Sequence, residues 1–146
     1  MNYVGEWSFM NCITDIATKA NIPLEQRQEN FVTVNVNFGN GRMQRVWIRP
    51  FGLDSKNRHL INISSAAVVL PKGQMLGQAY ANNLLKDNSR IMHGAWAIVE
   101  GDKEDYLVAM DTLIAETMEA EEFEASTFIV GLLADEIEKN SGHDAF

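Results

Sequence analysis

Between Trp7 and Ala20 the apolar residues Phe9, Met10, Ile13, Ile16, Ala17 and Ala20 recur at helical spacing, which predicts an amphipathic helix with one buried face. Pro23 lies just past its expected stop, and Leu24 to Asn30 reads as a polar connector. The period then changes to two. Val32, Val34, Val36 and Phe38 alternate with Thr33, Asn35 and Asn37, Gly39-Asn40-Gly41 supplies turn chemistry, and Arg42 to Arg49 returns as the second arm of a hairpin. In that arm Val46 and Ile48 share the core face, leaving Arg45, Trp47 and Arg49 on the other. Pro50 is expected to end the strand, and Leu53 to Arg58 reads as a polar loop.

A third strand is expected from about His59 to Leu70, stopped by Pro71-Lys72-Gly73. Met75 to Asp87 carries Leu76, Ala79, Tyr80, Asn83 and Leu84 roughly on one helical face, with Asn88 placed to end the helix. Ile91 to Glu100 and Tyr106 to Thr112 form a second hairpin around the polar turn Gly101 to Asp105. The closing helix begins by Leu113, breaks near Glu119, resumes from Glu121 to Lys139, and leaves Asn140 to Phe146 as a frayed tail. The order α-β-β-β-α-β-β-α implies an α+β fold: a five-stranded antiparallel sheet with three helices segregated largely to one face.

Length and composition fit one domain spanning residues 1–146, because 146 residues at 46% hydrophobic can bury a core without staples. The single cysteine, Cys12, excludes an intrachain disulfide and suits a reducing compartment, with the thiol expected to be buried. Met1 to Met10 lacks the features of a signal peptide, and apolar runs such as Ala66 to Leu70 are too short to cross a bilayer. The expected location is cytoplasmic. Net charge is −8, divided as +4 over residues 1–99 and −12 over residues 100–146. So acidic a C-terminal region repels phosphate backbones and anionic headgroups, which argues against nucleic-acid and membrane partners.

The string Ile63-Ser64-Ser65, the strand end at Leu70-Pro71, the helix closing on Leu84-Leu85 and Asn88, and the stretch from His93 to Ile98 resemble the YbjN-like group of bacterial proteins. Tyr106 to Met118 and Ala134-Asp135 fit that group too. The group is similar in fold to type III secretion chaperones, including the Tir chaperone family, whose members are small, acidic and usually dimeric. The resemblance covers nearly the whole chain. It implies a binding or regulatory module without catalysis; YbjN-like proteins are commonly labelled sensory-transduction regulators.

Motifs for chemistry are absent from the sequence. His59, His93 and His143 stand in no metal-ligand spacing, and Ser64-Ser65 lacks the elbow that projects a nucleophile. The glycines build no phosphate loop, and Glu100 to Asp105 lacks the calcium-loop spacing. No cofactor or metal is expected.

Two features point to interaction instead. On the last helix Phe123, Thr127, Val130, Ala134 and Ile137 gather on one face with Leu133 alongside, leaving Phe128 and Leu132 on nearly the opposite side. That pair is read either as partner contact or as burial under the first helix or a loop. Arg45, Trp47 and Arg49 either flank one another on a solvated sheet face or receive acidic groups from a partner, and another copy of the chain could supply those acids. The expected function is therefore a chaperone-like homodimer that binds protein or peptide segments. The alternative is a small-molecule-sensing domain with a pocket walled by the second helix and the His93 to Trp96 strand.

Overall fold

Ser8 opens the first helix, its side chain accepting the Asn11 N–H at 3.1 Å, and Asn21 closes it in the left-handed conformation at φ 58°. The computed structural model describes residues 7–140; His143 and the expected tail beyond Asn140 lie outside the described residues. In chain order the elements are α1 (Phe9–Ala20), β1 (Gln26–Gln28), β2 (Phe31–Gly39), β3 (Arg42–Leu53), β4 (His59–Pro71), α2 (Gln78–Asn88), β5 (Ala95–Glu100), β6 (Glu104–Ile114) and α3 (Ala120–Asn140). The sheet is antiparallel throughout, in the order β1-β2-β3-β4-β6-β5. The α+β class with three helices holds, but the sheet has six strands rather than five.

The extra strand is β1, inside the segment expected to be a connector. Its residues Gln26, Arg27 and Gln28 are all exposed, so no apolar alternation marks it. Main-chain pairing to β2 holds it, with Glu25 donating to the Thr33 carbonyl at 2.8 Å and Gln26 to the Thr33 hydroxyl at 3.1 Å.

Several boundaries also move. β3 continues through Pro50 to Leu53, because Ile48 is already paired with Val32 near the start of β2; beyond it Pro50 has only Ile61 of β4 opposite and needs no second ladder bond. Leu113 and Ile114 belong to β6, paired with Ile61 and Leu60, so the closing helix starts at Ala120. Strand β5 begins at Ala95, after Gly94 at φ 89°. The second helix likewise begins at Gln78, three residues later than expected.

The alternation places Val32, Val34, Val46, Ile48, Ile61, Ile63 and Ala109 in one core with Phe9, Ile13 and Ile16 of α1 and Phe123, Val130 and Ala134 of α3. Helix α3 crosses β2, β3, β4 and β6, and α1 packs beside it. Its approach depends on Gly131: an added Cβ would stand 3.3 Å from methyls of both Val36 and Val46. Helix α2 docks through Leu84 toward Trp96 and Leu107 at the β5 end of the same core. A register shift between Ala66 and Val68 lets β4 insert Ala67 without losing its pairing to β6. No helix of the described residues is long and apolar enough to cross a membrane.

Candidate functional site

Residue parity on β3 decides which side chains are free to act. Val46 and Ile48 are fully buried, so Arg45, Trp47 and Arg49 project from the face opposite the helices. Arg45 and Arg49 are exposed, and Trp47 is half-buried. The Trp47 ring lies 5.0 Å from that of Phe31, and the Arg49 guanidinium carbon sits 5.6 Å from its centroid. This packing fixes the indole as a rigid apolar platform with positive charge beside it.

Toward β4, β6 and β5 the platform continues as a mostly apolar surface, whereas its β2 side presents Asn35 and Asn37. Ser64 stands between Trp47 and Met110, Val108 between Ala66 and Ala97, and Tyr106 between Val69 and Val99. Small side chains make its centre flat.

Phe128 and Leu132 lie elsewhere. They belong to α3, on the helix-covered side, where the Phe128 ring meets Phe38 at a centroid distance of 5.7 Å and stays 44% exposed. Leu132 is half-buried. The structure therefore separates the two groups of candidate residues onto opposite sides of the molecule.

A third feature is a cleft of about 300 Å³ between α2 and β5, lined chiefly by Leu76, Leu84, Leu85, Trp96, Ile98 and Leu107. Asn88 is the one polar residue of its lining, and its side chain is committed: it accepts the Trp96 N–H at 2.7 Å and donates to the Trp96 carbonyl at 3.3 Å. Leu85 and Ile98 are among the exposed large apolar residues at this cleft. Only the adjacent leucines Leu84-Leu85 hinted at it in sequence, since a helix can bury just one of two neighbours.

Several titratable groups are committed to contacts within the fold. Burial pushes the Cys12 thiol up, reinforced by the negative charges of Glu116 and Asp15, so the half-buried thiol holds its proton and is a poor nucleophile. Ser65 donates to the Arg45 carbonyl at 2.7 Å. The buried Ser126 donates to Asp111 at 2.8 Å, while the His93 Nδ1 lies 3.9 Å from that same carboxylate oxygen. The carboxylate stands between the hydroxyl and the imidazole, so the three do not form the serine-histidine-aspartate relay. His59 stacks on Trp7 at 4.0 Å and meets Glu116 at 2.6 Å. Among the described residues no three potential ligands converge on a metal position.

Sequence reasoning missed one charged group. Arg42, on the inner face of β3, meets Asp135 of α3 at 2.9 Å and Glu138 at 3.8 Å. Both acids belong to the acidic C-terminal region, yet both are buried.

No protein-family model matches this chain, and no curated protein matches it in sequence.

Proposed function

We propose that this protein is a cytoplasmic, non-enzymatic binding module, a chaperone-like homodimer of the YbjN-like and type III secretion chaperone type that takes apolar segments of other proteins. The observation that carries the reading is the cleft between α2 and β5, whose only polar lining side chain is already satisfied by the Trp96 backbone. Such a cleft rewards aliphatic and aromatic side chains and offers nothing to orient a polar reactant. It also borders the free edge of the sheet. Because the Trp96 N–H and C=O point toward Asn88 and not into the ladder, the alternation of an antiparallel pair turns the backbone of Ile98 outward as well. An extended segment can then bond to that edge while its side chains enter the cleft. The acidic C-terminal region argues against nucleic acid and membrane surfaces as the target.

The test is a fluorescence-anisotropy screen of extended apolar peptides against the protein and its Leu85→Glu/Ile98→Glu variant. Both positions are exposed, at 67% and 49%, so the fold should survive. Peptides that bind the parent should lose affinity by roughly 30-fold or more, the effect of truncating one interface hot spot. Equal binding by the two proteins would refute the reading, as would turnover of ester, phosphoester or nucleotide substrates.

A second reading, a small-molecule-sensing regulatory domain, draws on the same cleft: its walls are α2 and β5, and its volume lies at the lower end of ligand pockets. A thermal-shift screen with small apolar ligands separates the two. Stabilisation by such ligands without peptide binding would favour sensing.

A further inference from the structure

We infer that a second copy of this chain covers the outer face of the sheet, packed face to face across a two-fold axis close to β4. The inference rests on the homodimer reading above and commits it to one surface.

Closure decides against the contact that charge alone suggests. The exposed acids of α3, such as Glu121, Glu122 and Glu124, could attract the Arg45 and Arg49 of another copy. But α3 lies on one face of the sheet and those arginines on the other, because Val46 faces Gly131 while its neighbours Arg45 and Trp47 face away. Seating one copy's helix on the next copy's sheet leaves a helix and a sheet unsatisfied at the two ends. The contact is heterologous, and with its two patches on opposite faces it cannot close as a pair. A closed pair must use one patch twice.

Two of the candidate surfaces can be compared on charge. Pairing α3 with α3 opposes like charges, since the exposed side of the helix carries Glu121, Glu122, Glu124 and Glu136 against Lys139 alone. The outer face carries both signs: Arg45 and Arg49 on β3, and Glu104 at the start of β6, where it shares a face with Tyr106 and accepts its hydroxyl at 3.3 Å. A two-fold axis running along β4 lays β3 of each copy over the β6 and β5 side of the other, setting Arg49 level with Thr112 and Trp47 level with Met110 of its mate and keeping the arginines of the two copies from facing each other.

Shape and size agree with charge. Ala66, Val108 and Ala97 form a flat centre, so a second sheet can approach to the usual separation of about 10 Å. Tyr106, Met110 and Trp47 stand around it as larger side chains that interdigitate. With the axis on β4 the overlap spans β2, β3, β4, β6 and β5, and five strands at about 4.8 Å spacing with up to four rows of outward residues give roughly 600 Å² per copy, the lower end of standard interfaces at roughly 600–1,000 Å² per partner.

The experiment uses the full chain with Cys12→Ser. Light scattering first measures mass up to high micromolar concentration. Ala66→Cys and Phe128→Cys variants are then treated with a short bismaleimide. We expect a two-copy mass, strong cross-linking through position 66 and little through position 128. Val69→Glu/Val99→Glu should weaken the pair by roughly 30-fold or more, while Phe128→Ser/Leu132→Ser should leave it within about threefold. The cross-linking keeps the result readable even if a polar variant unfolds. A monomer at every concentration would overturn the homodimer reading and this inference together. A dimer that cross-links through position 128, or is broken only by Leu85→Glu/Ile98→Glu, would overturn this inference alone. So would a mass that grows past two copies.

Discussion

Replacing Arg42 by methionine keeps the aliphatic stem and removes the guanidinium from beside two buried carboxylates. Its Nη2 lies 2.9 Å from Asp135 Oδ1, and its Nε lies 3.1 Å from Oδ1 and 3.4 Å from Oδ2. The Asp135 and Glu138 side chains are 6% and 1% exposed, so neither can recover full hydration when the cation goes. Breaking a buried ion pair from one side costs about 3–5 kcal/mol. Arg42 itself is 23% exposed, so water can enter its place, and the cost should fall near the lower limit, about 3 kcal/mol. For a chain of this size that lowers Tm by about 6–12 °C. Urea denaturation followed by far-ultraviolet circular dichroism and tryptophan fluorescence measures it. Arg42→Met/Asp135→Asn should lose less than the sum of its two single variants, because it leaves one of the two buried carboxylates, Glu138, without the cation instead of both. A cost below about 0.5 kcal/mol for Arg42→Met would mean that the acids are effectively solvated, and strict additivity in the double variant would deny the coupling.

Two further outcomes follow from local geometry. Gly94→Ala should destabilise the fold by about 2–3 kcal/mol, since φ is 89° and the new Cβ would stand 2.6 Å from the Met110 carbonyl oxygen; an unchanged denaturation midpoint would contradict that. Burial disfavours the Glu116 charge, but the His59 side-chain and backbone hydrogen bonds outweigh it and hold the carboxyl below its ordinary value. The resulting stability is present above the unfolded glutamate pKa and is lost as pH falls through the lowered folded value. Glu116→Gln should therefore be slightly less stable than the parent near neutral pH, with the gap closing on acidification. A gap that stays constant with pH would exclude the assignment.

What could be read from the sequence was whatever alternation encodes. Val32 through Phe38 and Arg42 through Arg49 follow period two because one face of each strand is core, and the same parity placed Arg45, Trp47 and Arg49 together. β1 was invisible because three exposed polar residues on a sheet edge carry no such signal. Leu113 and Ile114 misled because a buried strand end and the start of a buried helix both read as apolar residues. On α3 the error was chemical. Ser126, Asp135 and Glu138 are buried beside the expected Thr127, and their polarity made the inward face look narrower than it is. Burial of those acids depends on Arg42, which lies 93 residues from Asp135 in sequence.

That distant pairing also changes how the charge asymmetry bears on assembly. A basic strand and an acidic helix suggest attraction between chains, but part of that attraction is already used within one chain, because β3 alternates its arginines between faces. Arg42 points inward and meets the acids of α3, whereas Arg45 and Arg49 point outward. Gly131 enforces the division by letting α3 lie close enough to β3 for the inner arginine to reach it. The helix thus spends two of its acids sealing its own sheet, and its remaining acids face solvent on the side away from the outer arginines. Any face-to-face pairing of copies must then keep the outer arginines apart, which a two-fold axis along β4 does by setting each β3 over the β6 and β5 side of its mate.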